Sequence, residues 1–193
     1  MKILHLTKKP DSYDFREYIY VWDNFLSDEF SDYLDEEIYM HTNWRYCNRV
    51  DTPECAHTIW GRTYKDYRPE YINDLTSVLE SKTGITIPSP EYIGLNGQTK
   101  GMDACLHRDC SLLEANKTAS FLYYIGAGDA DGDLIIYNDS REPIERIQFI
   151  KNRMVLFDGS IPHSANGPTN MTLRMSFVYR GYYEDNNVDA NSR

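Results

Sequence analysis

From residue 85 onward the chain alternates short apolar runs with turn-forming stretches, at roughly 10–20-residue intervals and with no helical periodicity between them. Seven such runs are predicted strands: Glu91–Leu95, Met102–Leu106, Ala119–Ile125, Asp133–Tyr137, Arg146–Ile150, Met154–Phe157 and Thr172–Tyr179. The glycine-rich stretch 126–132 and Asn138-Asp139-Ser140 punctuate them. Closely spaced strands without intervening helices imply an antiparallel sandwich or barrel.

The first half reads differently. Glu17 to Trp22 alternates and is rich in β-branched and aromatic residues, which predicts a strand. Ser27 followed by Asp28 and Glu29 is a helix start, a capping hydroxyl ahead of first-turn acids. Phe30, Tyr33, Leu34, Ile38 and Tyr39 then recur at helical spacing, as a core stripe would. Asn43 to Asp66 reads as irregular and polar. Pro69 begins a second helix through Leu75, Val78 and Leu79 that ends before Gly84. The pattern predicts a mainly β protein with N-terminal helices packed on one sheet, an α+β arrangement. Residues 1–183 form one domain, with a helical part over 1–84 and a strand-rich core over 85–183. The polar residues 184–193 are expected to be a disordered tail.

Composition narrows the function. The formal net charge is −10 and hydrophobic residues make up 41%. Such acidity disfavours binding to phosphate backbones. The N-terminus lacks an apolar stretch of signal-peptide length, and no run approaches the ~18 apolar residues needed to span a bilayer, so a cytoplasmic location is expected. The four cysteines (Cys47, Cys55, Cys105, Cys110) have no Cys-x-x-Cys spacing, which argues against a zinc finger or a disulfide scaffold.

Four residues in the strand-rich part carry candidate chemistry. His107 and Asp109 are separated by one residue, His163 follows in Ile161-Pro162-His163, and Arg174 lies between Leu173 and Met175. If Met102–Leu106 enters as a strand, His107 and Asp109 project to one side and Arg108 to the other. Two imidazoles and one carboxylate can hold Fe(II) on one face and leave other positions open. A charged residue in an apolar strand is either solvent-facing or buried with a partner. An arginine there can clamp a carboxylate with its planar fork. The bland alternative is a surface salt bridge around Arg108. A protein-kinase catalytic loop, which also begins His-Arg-Asp, is excluded: Glu114 stands where that loop needs Asn.

In order and spacing these pieces resemble the Fe(II)- and 2-oxoglutarate-dependent dioxygenases, within them the prolyl 4-hydroxylase-like group. The resemblance runs from Tyr20-Val21-Trp22-Asp23-Asn24-Phe25-Leu26-Ser27, through His107-Arg108-Asp109, Phe121-Leu122-Tyr123-Tyr124-Ile125 and Gly132-Asp133-Leu134, to Pro162-His163 and Leu173-Arg174-Met175-Ser176. It implies a double-stranded β-helix, or jelly roll. It implies Fe(II) on His107, Asp109 and His163, and 2-oxoglutarate held by Arg174 and Ser176, with Tyr124 lining its pocket and Leu134 as a wall. Tyr123 would face the other way, although a one-residue shift would exchange the two tyrosines. Asp131 departs from the resemblance, standing where a glycine is common. O2 would be the second cosubstrate and ascorbate an accessory reductant.

The implied reaction is hydroxylation of an aliphatic C–H bond, at a prolyl residue of a peptide or at a free proline-like amino acid. Asp109 favours this outcome, since related halogenases lack that carboxylate. Asn43–Asp66 is a candidate cover, with Trp60, Arg62 and Arg108 as candidate substrate contacts. Two alternatives stay open: a catalytically silent jelly-roll binding module, and a nucleic-acid demethylase on the same fold.

Overall fold

The computed structural model describes residues 1–52, 55–65, 67–126, 131–170 and 172–185. Thirteen strands and two α-helices follow in the order β1 (Lys2–Leu6), β2 (Tyr18–Trp22), α1 (Asp28–His41), β3 (Arg45–Thr52), β4 (Cys55–Thr63), α2 (Glu70–Thr83), β5 (Ile85–Thr86), β6 (Pro90–Gln98), β7 (Thr118–Ile125), β8 (Leu134–Tyr137), β9 (Pro143–Ile147), β10 (Met154–Asp158), β11 (His163–Ala165), β12 (Arg174–Tyr182) and β13 (Glu184–Asp185). An eight-stranded sheet has the order β1-β2-β10-β7-β12-β6-β4-β3, and a three-stranded sheet the order β11-β8-β9. Every pair is antiparallel except β1 with β2. The result is a jelly roll with two helices on one face of the large sheet.

Strand alternation decides what each face does. On β7, Phe121, Tyr123 and Ile125 join the core shared with Leu34 and Ile38 of α1 and with Ile72, Leu75 and Leu79 of α2. Leu122 and Tyr124 point to the other face, into a second core with Leu134 and Ile136 of β8 and Ile147 of β9. On β12, Met175, Phe177 and Tyr179 likewise face the helices. Arg174, Ser176 and Arg180 therefore lie on the inner face, between the sheets, where they line a cavity. A continuous buried run such as 118–125 is what a strand covered on both faces requires.

The helices begin and end where their residues dictate. Ser27 caps α1, its hydroxyl accepting from the Phe30 amide at 3.3 Å. Gly84 ends α2 in the left-handed region, at φ 75°. Leu34, Ile38, Leu75 and Leu79 are fully buried, each contributing about 1.5–3 kcal/mol relative to exposure. Tyr33 and Tyr39, expected in the α1 stripe, are exposed, because they sit more than a quarter-turn from the line through Ser31, Leu34 and Ile38.

Three further expectations are corrected. Met102–Leu106 is not a strand: the Gln98 side chain takes the Met102 carbonyl at 2.7 Å, the Ala104 amide donates to the Ala165 carbonyl at 2.8 Å, and an isolated bridge to His163 follows only at His107. The described part of Asn43–Asp66 is not irregular but the hairpin β3–β4 at the edge of the large sheet. Edge hairpins with a solvated face carry little apolar patterning. Glu184–Asp185, placed in the tail, pairs with β5, while residues 186–193 lie outside the described residues. Cys105 is disulfide-bonded, whereas Cys110 is a free thiol. Among the described residues no helix is long and apolar enough to cross a membrane.

Candidate active site

The two histidines are tied together by backbone before any metal is considered. His107 N–H donates to the His163 carbonyl and His163 N–H to the His107 carbonyl, both at 2.9 Å. This bridge sets the rings with centroids 4.3 Å apart. Asp109 is anchored to the next turn: its N–H donates to the Gly159 carbonyl at 2.8 Å. A Cβ at Gly159 would lie 2.8 Å from Thr118 Oγ1 and 3.4 Å from Asp109 Cβ, so only glycine admits this approach.

The donor atoms of His107, Asp109 and His163 lie within 4.8 Å of one another. His107 Nε2 is 3.7 Å from Asp109 Oδ1 and His163 Nε2 is 3.9 Å from Asp109 Oδ2. Two bonds of about 2.1 Å, typical of a first-row ion, span either gap. Each ring's Nδ1 lies 2.8 Å from a backbone carbonyl, that of Cys105 for His107 and of Ile161 for His163. Those carbonyls hold the proton on Nδ1 and leave both Nε2 lone pairs turned toward Asp109. Phe157 packs edge-on to the His163 ring at 4.9 Å. The donor set therefore fits a divalent metal that accepts nitrogen and oxygen ligands.

Deeper in the cavity, Arg174 is 1% exposed. Its Nε donates to the Gly132 carbonyl and its Nη1 to Gln98 Oε1, both at 2.8 Å. Gln98 Nε2 donates to the carbonyls of Met102 and Ala165, which fixes the orientation of its amide. The guanidinium carbon sits 5.2 Å from the Tyr124 ring centre and 5.1 Å from that of Phe149. Two buried polar groups here complete no hydrogen bond: Arg174 Nη2 and the Tyr124 hydroxyl. Burial pulls the Arg174 pKa down, opposed by Tyr124, and pushes the Tyr124 phenol up. A buried guanidinium with an open N–H group is costly unless an anion completes it. A carboxylate fits that vacancy in charge and shape.

Gly132 makes this possible. It has φ 108°, and a Cβ there would meet the Asn166 carbonyl at 2.5 Å and Arg174 Cδ at 2.9 Å. Asp131, at the position that departs from the resemblance, accepts from the Thr169 amide at 2.7 Å and from its hydroxyl at 2.5 Å. Those bonds hold its carboxyl below the usual range.

One cavity of about 730 Å³ gathers the three metal-ligand candidates with Arg174, Ser176 and Leu134. Tyr124 is not among the lining residues; its ring packs against Arg174 behind the cavity wall. Tyr123 points to the helices, where its hydroxyl meets Ser31 and Asn152 at 3.2 Å. Arg62 and Arg108 also line the cavity; Trp60 does not. Trp60 pairs with Gly97 and Arg62 with Leu95, so both side chains leave β4 on the helix side, and Arg62 lies over the Tyr64 ring at 5.9 Å. Arg108 is not turned away: it donates to the Ser160 carbonyl and pairs with Asp139 at 2.8 Å.

Sequence reading missed three residues. Ser120 Oγ donates to Asp109 Oδ2 at 2.7 Å, Arg180 forms an ion pair with Asp109, and Gln98 holds Arg174. Ser120 and Arg180 are readable only through register, since they are cross-strand partners on β7 and β12.

No family model and no curated protein matches the chain. Solved structures do. A prolyl hydroxylase from Trichoplax adhaerens, in complex with a hypoxia inducible factor oxygen degradation domain peptide fragment, superposes with a TM-score of 0.64 at 18% identity, covering 91% of this chain and 87% of that one. A prolyl-4-hydroxylase from Pseudomonas putida gives 0.61 at 11% identity, covering 84% and 91%. An oxidoreductase of the 2OG-Fe(II) oxygenase family from Burkholderia pseudomallei gives 0.65 at 13% identity, covering 96% of each. The chain therefore has the 2OG-Fe(II) oxygenase fold, prolyl hydroxylases included, as the motif resemblance implies.

Proposed function

We propose that this chain is a non-haem Fe(II)- and 2-oxoglutarate-dependent dioxygenase that hydroxylates an aliphatic C–H bond, at a prolyl residue of a peptide or at a free proline-like amino acid. The observation that carries the reading is the open Nη2 of fully buried Arg174, in the same cavity as a His-Asp-His donor set. A metal site alone would suit many activities. A metal site beside a buried, incomplete guanidinium suits an anionic cosubstrate.

His107, Asp109 and His163 hold the ion by Nε2 and carboxylate oxygens. The carbonyls of Cys105 and Ile161 keep the tautomer, and Ser120 holds one Asp109 oxygen in place. Arg174, with the Tyr124 and Ser176 hydroxyls, binds the distal carboxylate of 2-oxoglutarate. Leu122, Leu134, Phe157 and Val178 form apolar lining that limits water near the reacting carbon. When bound, the iron and its cosubstrates supply the oxidising power for C–H hydroxylation. The two prolyl hydroxylases that share the fold support proline as the target.

A silent binding module would have no use for this donor set, and a net charge of −10 disfavours a polynucleotide substrate. Succinate release from 2-oxoglutarate, with Fe(II) and ascorbate, tests the reading against prolyl peptides, free amino acids and methylated oligonucleotides. Succinate coupled to hydroxylated proline is expected. Demethylation of the oligonucleotide with no hydroxylated peptide or amino acid would overturn the substrate reading, and no succinate with any substrate would overturn the reading as a whole.

A further inference from the structure

A second cleft, of about 280 Å³, opens beside the active-site cavity and shares His107 and Arg108 with it. Its other walls come from Leu106, Pro162 and the turn between β8 and β9. A substrate residue held at the metal-ligand candidates therefore has a second compartment next to it, on the side of His107.

That turn is fixed to the ligand-bearing segment. Tyr137 N–H, at the start of the turn, donates to the Pro162 carbonyl at 2.9 Å, one residue before His163. Within the turn, Asn138 N–H donates to the Glu142 carbonyl and Arg141 N–H to the Asn138 carbonyl, both at 3.0 Å. The Asn138 side chain accepts from the Glu142 amide and donates to the Glu142 carboxylate, both at 2.9 Å. Arg141 is thereby held at φ 65°, a conformation that costs a residue with a Cβ energy and that the surrounding bonds enforce. The side chain of Arg141 lines the cleft, whereas Glu142 turns its carboxylate to Asn138 and lies outside the lining.

The balance of charge in the cleft is positive, in a chain of net charge −10. Arg108 and Arg141 line it, with Asp139 as the one carboxylate among the described residues. Asp139 pairs with Arg108 at 2.8 Å, but its side chain is 87% exposed. Such a pair is weak, and a guanidinium with five N–H donors accommodates a second carboxylate. Leu106 and Pro162 add apolar surface for the stem of a side chain. A free amino acid would occupy the active-site cavity and leave this cleft unused, whereas a polypeptide can run through both.

Resting on the proposed function, we propose that the substrate is a polypeptide whose chain runs from the active-site cavity into this cleft, where Arg141 and Arg108 recognise an acidic side chain near the target residue.

Matched peptides test this. Enzyme loaded with Mn(II) and saturating 2-oxoglutarate, kept under argon, would be titrated with peptides that carry Glu, or its uncharged match Gln, at each of the three positions before and after a central proline. L-Proline is titrated alongside. Paramagnetic relaxation of the proline ring protons reads binding near the metal. At one position or two neighbouring ones, Glu should bind about threefold or more tightly than Gln, and the preference should shrink in high salt. Arg141→Gln should remove most of it, and Arg141→Lys should keep part, as charge without the fork. Arg141→Glu should reverse it, so that Lys at the same position binds more tightly than Gln. Asp139→Asn should strengthen it by releasing Arg108. Equal binding of Glu and Gln peptides at every position, a preference unchanged by Arg141→Gln and Arg141→Glu, or relaxation of L-proline with no peptide bound would overturn the proposal. Free Mn(II), counted by its electron paramagnetic resonance signal, and 2-oxoglutarate binding by calorimetry are read on the same protein. Failure of either overturns the proposed function and this proposal with it; with both bound, the peptide outcomes bear on this proposal alone.

Discussion

Changing Tyr124 to Phe removes one oxygen from a residue with no exposed surface and leaves the ring in place against Phe149 and Arg174. That oxygen completes no hydrogen bond in the protein without cosubstrate. A buried unpaired hydroxyl costs about 1–3 kcal/mol, so Tyr124→Phe should stabilise the protein free of 2-oxoglutarate by about 1 kcal/mol. In a chain of this length that raises Tm by about 2–4 °C. With 2-oxoglutarate present the sign reverses. A hydrogen bond to a charged carboxylate is worth about 1.5–3 kcal/mol, so affinity should fall by about 10- to 150-fold. Thermal unfolding without cosubstrate and calorimetry with Mn(II) and 2-oxoglutarate measure the two effects. A lower Tm together with unchanged 2-oxoglutarate affinity would refute the reasoning, because the hydroxyl would then serve the fold and not the ligand.

The remaining predictions concern the ion, the guanidinium and the core. His163→Ala should abolish tight Mn(II) binding, whereas Ser120→Ala should weaken it by about 10- to 100-fold through a freed Asp109; a metal titration of each variant checks both. Arg174→Ala should cost about 2–5 kcal/mol of 2-oxoglutarate binding and Arg174→Lys less, as read by calorimetry with metal bound. Asp23 pairs with buried Arg153, whose hydrogen bonds hold its carboxyl below the ordinary value of 3.8. A depressed carboxyl contributes stability above its unfolded pKa and loses it as pH falls through the folded one. Asp23→Asn should thus cost about 1 kcal/mol at neutral pH, the pair being partly exposed, and the gap to the native protein should close below pH ~4. Urea unfolding across that range checks the trend; a gap that widens in acid would contradict it.

Where local chemistry decides, the sequence was sufficient. Ser27 and Gly84 bound their helices because capping geometry is a property of a few adjacent residues. The double-buried strand 118–125 announces itself because both of its faces must be apolar. The grouping of His107, Asp109 and His163 in one cavity with Arg174 was legible because a motif of donor side chains restricts residue type and order.

Tertiary structure decided what depends on partners. The β3–β4 hairpin has weak patterning of its own and exists by pairing with β6. Met102–Leu106 looks like a strand, but the Gln98 side chain and the Ala165 carbonyl take backbone groups of Met102 and Ala104. Whether Tyr123 or Tyr124 faces Arg174 is a question of register, and a shift of one residue reverses every side chain on a strand. Ser120, Gln98 and Arg180 carry no signal in a single chain of letters. Their parts arise because cross-strand pairing brings β7, β12 and β6 side by side, so that residues far apart in sequence share one face and one charge balance.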